Sequence, residues 1–93
     1  MKIVTWNCNL NFTQKYDAIK HLDADIMLIQ ECEQELTFPG YEVFWTGTNI
    51  KKGLGVLVKS EGKVHAHHNK QLINFLPIET PQFNILGVWA FNH

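Results

Sequence analysis

The sequence predicts an α/β fold that opens with a βαβ unit and continues as a β-meander. Three observations carry this. Residues 2–8, KIVTWNC, are rich in β-branched and aromatic side chains and apolar on both faces, the look of a buried strand with neighbours on either side. Phe12, Tyr16, Ile19 and Leu22 then recur at three- and four-residue steps, which places them on one side of a helix. Ile26-Met27-Leu28-Ile29 follows as an unbroken apolar run, a second buried strand.

Each element follows from its residues. Asn9-Leu10-Asn11 breaks the first strand, and Thr13 stands where a helix N-cap is expected, with Lys15 and Lys20 on the outer face. Asp23-Ala24-Asp25 ends the helix. Strand, helix and strand within about 30 residues make the two strands parallel with a right-handed crossover. Both therefore finish at one end of the sheet, where sites in open α/β sheets gather. Asn7 stands at the finish of the first strand and Glu31 at the finish of the second.

Beyond Glu31, Pro39-Gly40 marks a turn, 41–46 a strand, 47–52 a polar turn and 54–59 another strand. Residues 60–63 read as a hairpin turn. An exposed strand over 64–68 and strands over 72–79 and 83–91 complete the meander. The last, with Ile85-Leu86-Gly87-Val88-Trp89-Ala90-Phe91, reads as central and covered on both faces. Such a strand two residues from the end predicts a truncated domain, with 1–93 as the N-terminal part of a single unit.

Composition narrows the classes. Hydrophobic residues make up 45% and charged residues 18% of 93, which excludes disorder and fits one small domain. A formal net charge of −1 gives no global attraction to nucleic acid or anionic membrane. Neither a signal-peptide layout nor a long apolar span is present, so a cytoplasmic location is the default expectation. Cys8 and Cys32 follow Asn7 and Glu31. They form no CxxC motif or zinc spacing and are expected to be buried and reduced near each other, a disulfide being the alternative.

Glu31 comes directly after four apolar residues and a Gln, at the mouth of the sheet. Hard divalent ions take oxygen ligands and keep several waters, so one or two carboxylates at a cleft suffice for Mg²⁺. The plainer reading makes Glu31 the first member of an acidic loop with Glu33 and Glu35. Asn7 needs hydrogen-bond partners at the end of a buried strand. It can bridge to Glu31, contact a phosphate oxygen or cap a loop, while Asn9 and Asn11 read as turn residues. His65 and His67 alternate onto one strand face beside His68, a pair that lacks a third ligand and reads as an exposed edge strand. Lys51 and Lys52 read as a solvated hairpin tip that can reach phosphates.

KIVTWNCN and, after one helix, DADIMLIQE resemble the opening of the endonuclease/exonuclease/phosphatase superfamily: a strand ending in W-N, a helix, and a strand ending in Q-E. GLGVLVK and FNILGVWAFN are similar to the next two landmarks in order, so the resemblance spans essentially the whole chain. It implies part of a DNase I-like β-sandwich flanked by helices, and a metal-dependent phosphoester hydrolase, whether nuclease, phosphatase or lipid phosphodiesterase. By the same resemblance Glu31 is a ligand of Mg²⁺ or Mn²⁺, and Asn7 positions the phosphate and neighbouring carboxylates. Asn9 falls where abasic-site enzymes carry an acidic residue that organises the metal; an amide keeps the oxygen and loses the charge. Trp89 falls where relatives place a His or Tyr on the phosphate, but indole has one N–H donor and no acceptor. Asn92 matches a catalytic asparagine after that strand.

The family's later Asp-x-Asn and Asp-His motifs lie beyond His93, so the isolated chain is expected not to turn over. Asp17, Asp23 and Asp25 cannot replace them, the last two standing at the far end of the second strand. The substrate is a phosphoester, with nucleic acid left open. The alternative is a short non-catalytic module that pairs with a partner through an exposed sheet edge.

Overall fold

The computed structural model describes residues 1–59 and 62–90. Among these residues seven strands form two sheets: β1 (Ile3–Asn7), β2 (Ile26–Cys32), β3 (Glu42–Asn49) and β4 (Lys52–Val58) in one, β5 (His65–Ala66), β6 (Phe75–Glu79) and β7 (Asn84–Val88) in the other. The first sheet has the order β1-β2-β4-β3 and the second β5-β6-β7. β1 runs parallel to β2, in a register that sets Ile3 opposite Ile26 and Asn7 opposite Gln30. All other pairings are antiparallel.

The first sheet is covered on both faces, and this explains the apolar runs of β2 and β4. One face carries Ile26, Leu54, Val56 and Val58, which meet Leu76 and Ile78 of the second sheet. Gly87 of β7 allows the two sheets to approach, since a Cβ there would lie 2.9 Å from Val56. The other face carries Met27, Ile29 and Leu57, packed with Phe12, Ala24 and Leu36. The mixed α/β class and partial sandwich are as expected.

Several details differ. The predicted helix is broken into α1 (Phe12–Lys15) and two 3₁₀ turns, Tyr16–Ala18 and Lys20–Leu22. Eleven residues rich in β-branched, aromatic and short polar side chains do not sustain a helix alone. Tertiary contact holds the segment instead: Phe12 is fully buried, with the Tyr16, Phe38 and Trp6 rings at 5.8, 5.4 and 6.2 Å. Leu22 stays 38% exposed. Thr13 is no N-cap; that position belongs to Asn11, in left-handed conformation and without a side-chain cap bond.

β1 is an edge strand of its sheet, with Ile3, Thr5 and Asn7 exposed and Val4 and Trp6 turned to the core. β7 is likewise an edge among the described residues, and Leu86 is 55% exposed. An apolar run does not distinguish an edge from a centre when one face is simply left open. The expected turn over 47–52 shrinks, because Asn49 pairs with Lys52 and leaves only Ile50 and Lys51 at the tip. The 60–63 turn and the end of the last predicted strand fall partly outside the described residues.

Candidate active site

The chain places Glu31 at an irregularity in β2. Gln30 pairs with Leu54 and Cys32 with Gly53, so Glu31 is the extra residue of a bulge. Its φ of +58° is left-handed, a conformation that costs a non-glycine residue about 1–2 kcal/mol. Bulges of this kind re-aim a side chain. Here the carboxylate is turned toward β1, and Asn7 Nδ2 donates to Glu31 Oε2 at 2.6 Å. The orientation of the Asn7 amide is fixed from behind, since the Asn9 N–H donates to Asn7 Oδ1 at 3.2 Å.

The surroundings hold this pair by many bonds. The N–H groups of Cys8 and Leu10 donate to the carbonyls of Gln30 and Glu31 at 3.1 and 2.9 Å. Trp45 Nε1 donates to the Cys32 carbonyl at 3.1 Å. Asn9, Leu10 and Asn11 form a left-handed run with φ of 55, 71 and 55°. Lys15 steadies it, with its Nζ donating to the carbonyls of Cys8 at 2.7 Å and Asn9 at 2.8 Å. Three consecutive strained residues persist only where their surroundings over-determine them, and strain of this kind collects at functional sites.

Glu33 does not belong to a loose acidic loop. Its two carboxylate oxygens accept the N–H groups of Phe12 and Thr13 at 2.9 and 3.1 Å, capping α1 across the fold. Burial alone would raise its pKa. The opposing hydrogen bonds from its own backbone, Thr13 and Phe12 outweigh that and hold it below the ordinary 4.5. The deprotonated form is thus favoured by folding, so its contribution to stability is complete above about pH 4.5 and is lost as pH falls through the lower folded value. Thermal unfolding of the Glu33→Gln variant should therefore fall below wild type at neutral pH, with the gap closing under acid conditions. A gap that is the same at all pH values would contradict the cap.

On its outer side Glu31 Oε1 meets Lys52 Nζ at 3.8 Å. The lysine is half exposed, so this pair is worth about 0–1 kcal/mol and yields readily to a stronger cation. Lys52 also lines a recess of about 320 Å³ with Thr48, Asn49, Ile73, Asn74 and Trp89. Gln30, next to Glu31, donates to the Val88 carbonyl at 3.4 Å and so ties the rim to the second sheet just before Trp89.

The donor set suits a hard ion. Glu31 presents one oxygen bound to Asn7 and one facing outward, which fits an Mg²⁺-type ion that keeps most of its waters. Among the described residues no group of three or more His, Cys, Asp or Glu side chains stands together, so they do not fit a closed zinc-type centre. His67 lies 3.9 Å from Glu79, and the His68 ring nitrogen contacts the Trp45 carbonyl at 3.0 Å; these histidines do not converge. Both cysteines are free and buried. Burial pushes Cys32 up to about 12 and raises Cys8 as well. A thiol-modifying reagent should leave both intact in the native chain and label both after denaturation; rapid native labelling would contradict their burial.

Of the residues singled out in sequence, Asn7, Asn9 and Glu31 come together at one rim. Asn92 lies outside the described residues, and Trp89 lies on the recess wall. Lys15, expected on the outer face of the helix, Gln30, read only as part of the Q-E strand end, and Glu33, offered as a member of an acidic loop, each act across more than one element, which no local pattern signals. Asp23 and Asp25 are at the far end of β2, bound to Lys59 and to the Lys2 N–H.

Comparison with solved structures places this geometry in a known fold. The chain superposes on a 3′-5′ exonuclease, NExo, from Neisseria meningitidis with a TM-score of 0.66 and 20% identity, over 97% of this chain. It superposes on a structure described as the 3′ phosphatase NExo from Neisseria, bound to a product DNA hairpin, with a TM-score of 0.65, 21% identity and 96% coverage. The fold is part of the DNase I-like fold. The chain spans 41% of the length of each of these proteins. Neither a protein-family model nor a curated protein sequence matches it. Among the described residues, no helix is long and apolar enough to cross a membrane.

Proposed function

We propose that this chain forms the cation-binding part of a metal-dependent phosphoester hydrolase, acting on nucleic acid or another phosphoester. The observation that carries the reading is the Asn7–Glu31 contact at a strained, multiply held bulge on the sheet rim. The likeness in fold to a Neisseria exonuclease and phosphatase supports it.

In this reading a bound Mg²⁺ or Mn²⁺ supplies charge stabilisation on the phosphoryl oxygens during attack by water. Glu31 would hold such an ion. Asn7 fixes the carboxylate with its NH₂, and Asn9 positions Asn7 through its N–H. Lys52, only loosely paired with Glu31, would be within reach of a phosphate oxygen at the same rim. Among the described residues no second carboxylate or imidazole bonds to Asn7 or Glu31, so these residues do not supply the group that takes the proton from water. The 93-residue chain alone is therefore expected to be inactive.

The test is hydrolysis of a chromogenic phosphodiester and phosphomonoester by the complete protein. Chelation of divalent ions should reduce turnover to background, and Mg²⁺ or Mn²⁺ should restore it. Turnover indifferent to the chelator would overturn the proposal.

A second reading has its own observation. Ile3 on the β1 edge is 59% exposed, and Phe75 and Leu86 on the second sheet are 39% and 55% exposed, which suits a module that docks through a sheet edge. A stable monomer of the 93-residue chain that binds no divalent ion would favour it.

A further inference from the structure

We propose that Lys15 is a positioning residue for Glu31, acting through the strained loop Asn9–Leu10–Asn11 and the Asn7 amide, so that the affinity of the rim for a divalent cation depends on an ammonium bonded to the loop behind it. This rests on the hydrolase reading and deepens it. Glu31 stands on a bulge with φ of +58°, so the regular ladder does not fix its side chain. The Asn7 amide does, donating to Oε2 at 2.6 Å. That amide is oriented by the Asn9 N–H, which reaches Oδ1 at 3.2 Å; turned over, it would set its own oxygen against the carboxylate. The Asn9 N–H points there because Asn9, Leu10 and Asn11 all take the left-handed conformation, which non-glycine residues adopt at a cost.

Lys15 offsets that cost. Its Nζ donates to the carbonyls of Cys8 at 2.7 Å and Asn9 at 2.8 Å, charge-assisted bonds that are stronger than neutral ones. These carbonyls belong to the two peptide planes that flank the Asn9 Cα, so one donor bonded to both fixes the φ and ψ of Asn9. The first plane also carries the Asn9 N–H. One peptide unit is therefore held by Lys15 at its oxygen and holds Asn7 at its nitrogen. A basic residue in the last turn of a helix ordinarily serves the helix's own carbonyls or its dipole. Here α1 has four residues, and the bonds of Lys15 go to carbonyls six and seven residues earlier, ahead of the helix. The lysine is anchored in turn. Phe12, in the same helical turn, is fully buried, and the Glu33 carboxylate accepts the N–H groups of Phe12 and Thr13 at 2.9 and 3.1 Å. The path closes on itself: it leaves Glu31 through Asn7, Asn9 and Lys15 and returns through α1 to Glu33, two residues further along the chain.

The experiment is addition of Mg²⁺ to the isotope-labelled chain, read at the Asn7 side-chain amide signals, for wild type, Lys15→Met, Lys15→Arg and Ile78→Val. Methionine keeps the apolar stem and removes the ammonium. Its affinity for Mg²⁺ should fall about tenfold, the lower end of the effect of removing an outer partner of a metal ligand. The Asn7 amide signals should already be shifted before Mg²⁺ is added. Arginine keeps the charge and should recover most of the affinity. Ile78→Val trims the core between the sheets and should lower thermal stability without changing either readout, which separates positioning from general loosening. Should Lys15→Met fail to fold, Lys15→Gln retains a donor for the loop and should show the same loss of affinity. Unchanged affinity and Asn7 signals in the neutral variant, or an equal loss in Ile78→Val, would overturn the role of Lys15. The hydrolase reading would stand in that case provided Mg²⁺ moves the Glu31 and Asn7 signals of wild type, and would fall if it moves neither.

Discussion

Alanine in place of Glu31 is expected to lower phosphoester hydrolysis by the complete protein about 10²–10³-fold, the size of effect seen when a positioned charge-stabilising group is removed. Glycine at the same position should lower activity to the same extent, but its effect on folding should differ. The substitution removes the bond from Asn7 to a carboxylate, a loss of about 1.5 kcal/mol at this exposed position. It also relieves a left-handed backbone that costs a non-glycine residue about 1–2 kcal/mol. The two nearly cancel, so the thermal midpoint of Glu31→Gly should stay within about 5 °C of wild type. A residue kept for stability would show the opposite pattern, with unfolding and loss of activity in step. Thermal denaturation run beside the kinetic assay separates the two. A strongly destabilised glycine variant would make Glu31 a structural carboxylate.

Gly53→Ala should produce the largest loss of stability among single-methyl changes near the site. A Cβ at Gly53 would lie 2.3 Å from the Trp45 ring and 2.6 Å from the Thr46 carbonyl oxygen. The ring cannot simply swing away, because its N–H is bonded to the Cys32 carbonyl, and the carbonyl oxygen is backbone. Overpacking of this kind costs about 3 kcal/mol, a drop in melting temperature on the order of 15 °C for a domain of this size. Gly53 pairs with Cys32 across the bulge that presents Glu31, so the disturbance should also weaken binding of divalent ions. A loss of only a degree or two would show that Trp45 is not clamped as described.

The rim was legible in sequence because it depends on two local patterns. The apolar runs ending at Asn7 and Glu31 identified β1 and β2, and a short connection required them to be parallel, which brought the two side chains to one end. What the runs could not reveal was exposure. β1 and β7 are apolar enough to be central, yet among the described residues each lies at an edge of its sheet. The bulge carried no glycine to announce it, since Glu31 itself takes the left-handed conformation. The periodic segment from Phe12 to Leu22 gave the correct face for Phe12, Tyr16 and Ile19 but not the helix, because the period records which side is buried and not whether the backbone bonds are continuous. The cap of α1 was out of reach for another reason. Glu33 is separated from Phe12 by 21 residues, and only the folded chain brings them together.

Addition of Mn²⁺ to the isotope-labelled 93-residue chain tests the central claim most directly, because a paramagnetic ion broadens only the signals near it. Broadening should centre on Glu31 and Asn7 and extend to Asn9 and Lys52, and should disappear when excess Mg²⁺ is added or Glu31 is replaced by glycine. Broadening centred on the His65–His68 segment or on Asp23, with Glu31 and Asn7 untouched, would contradict the account.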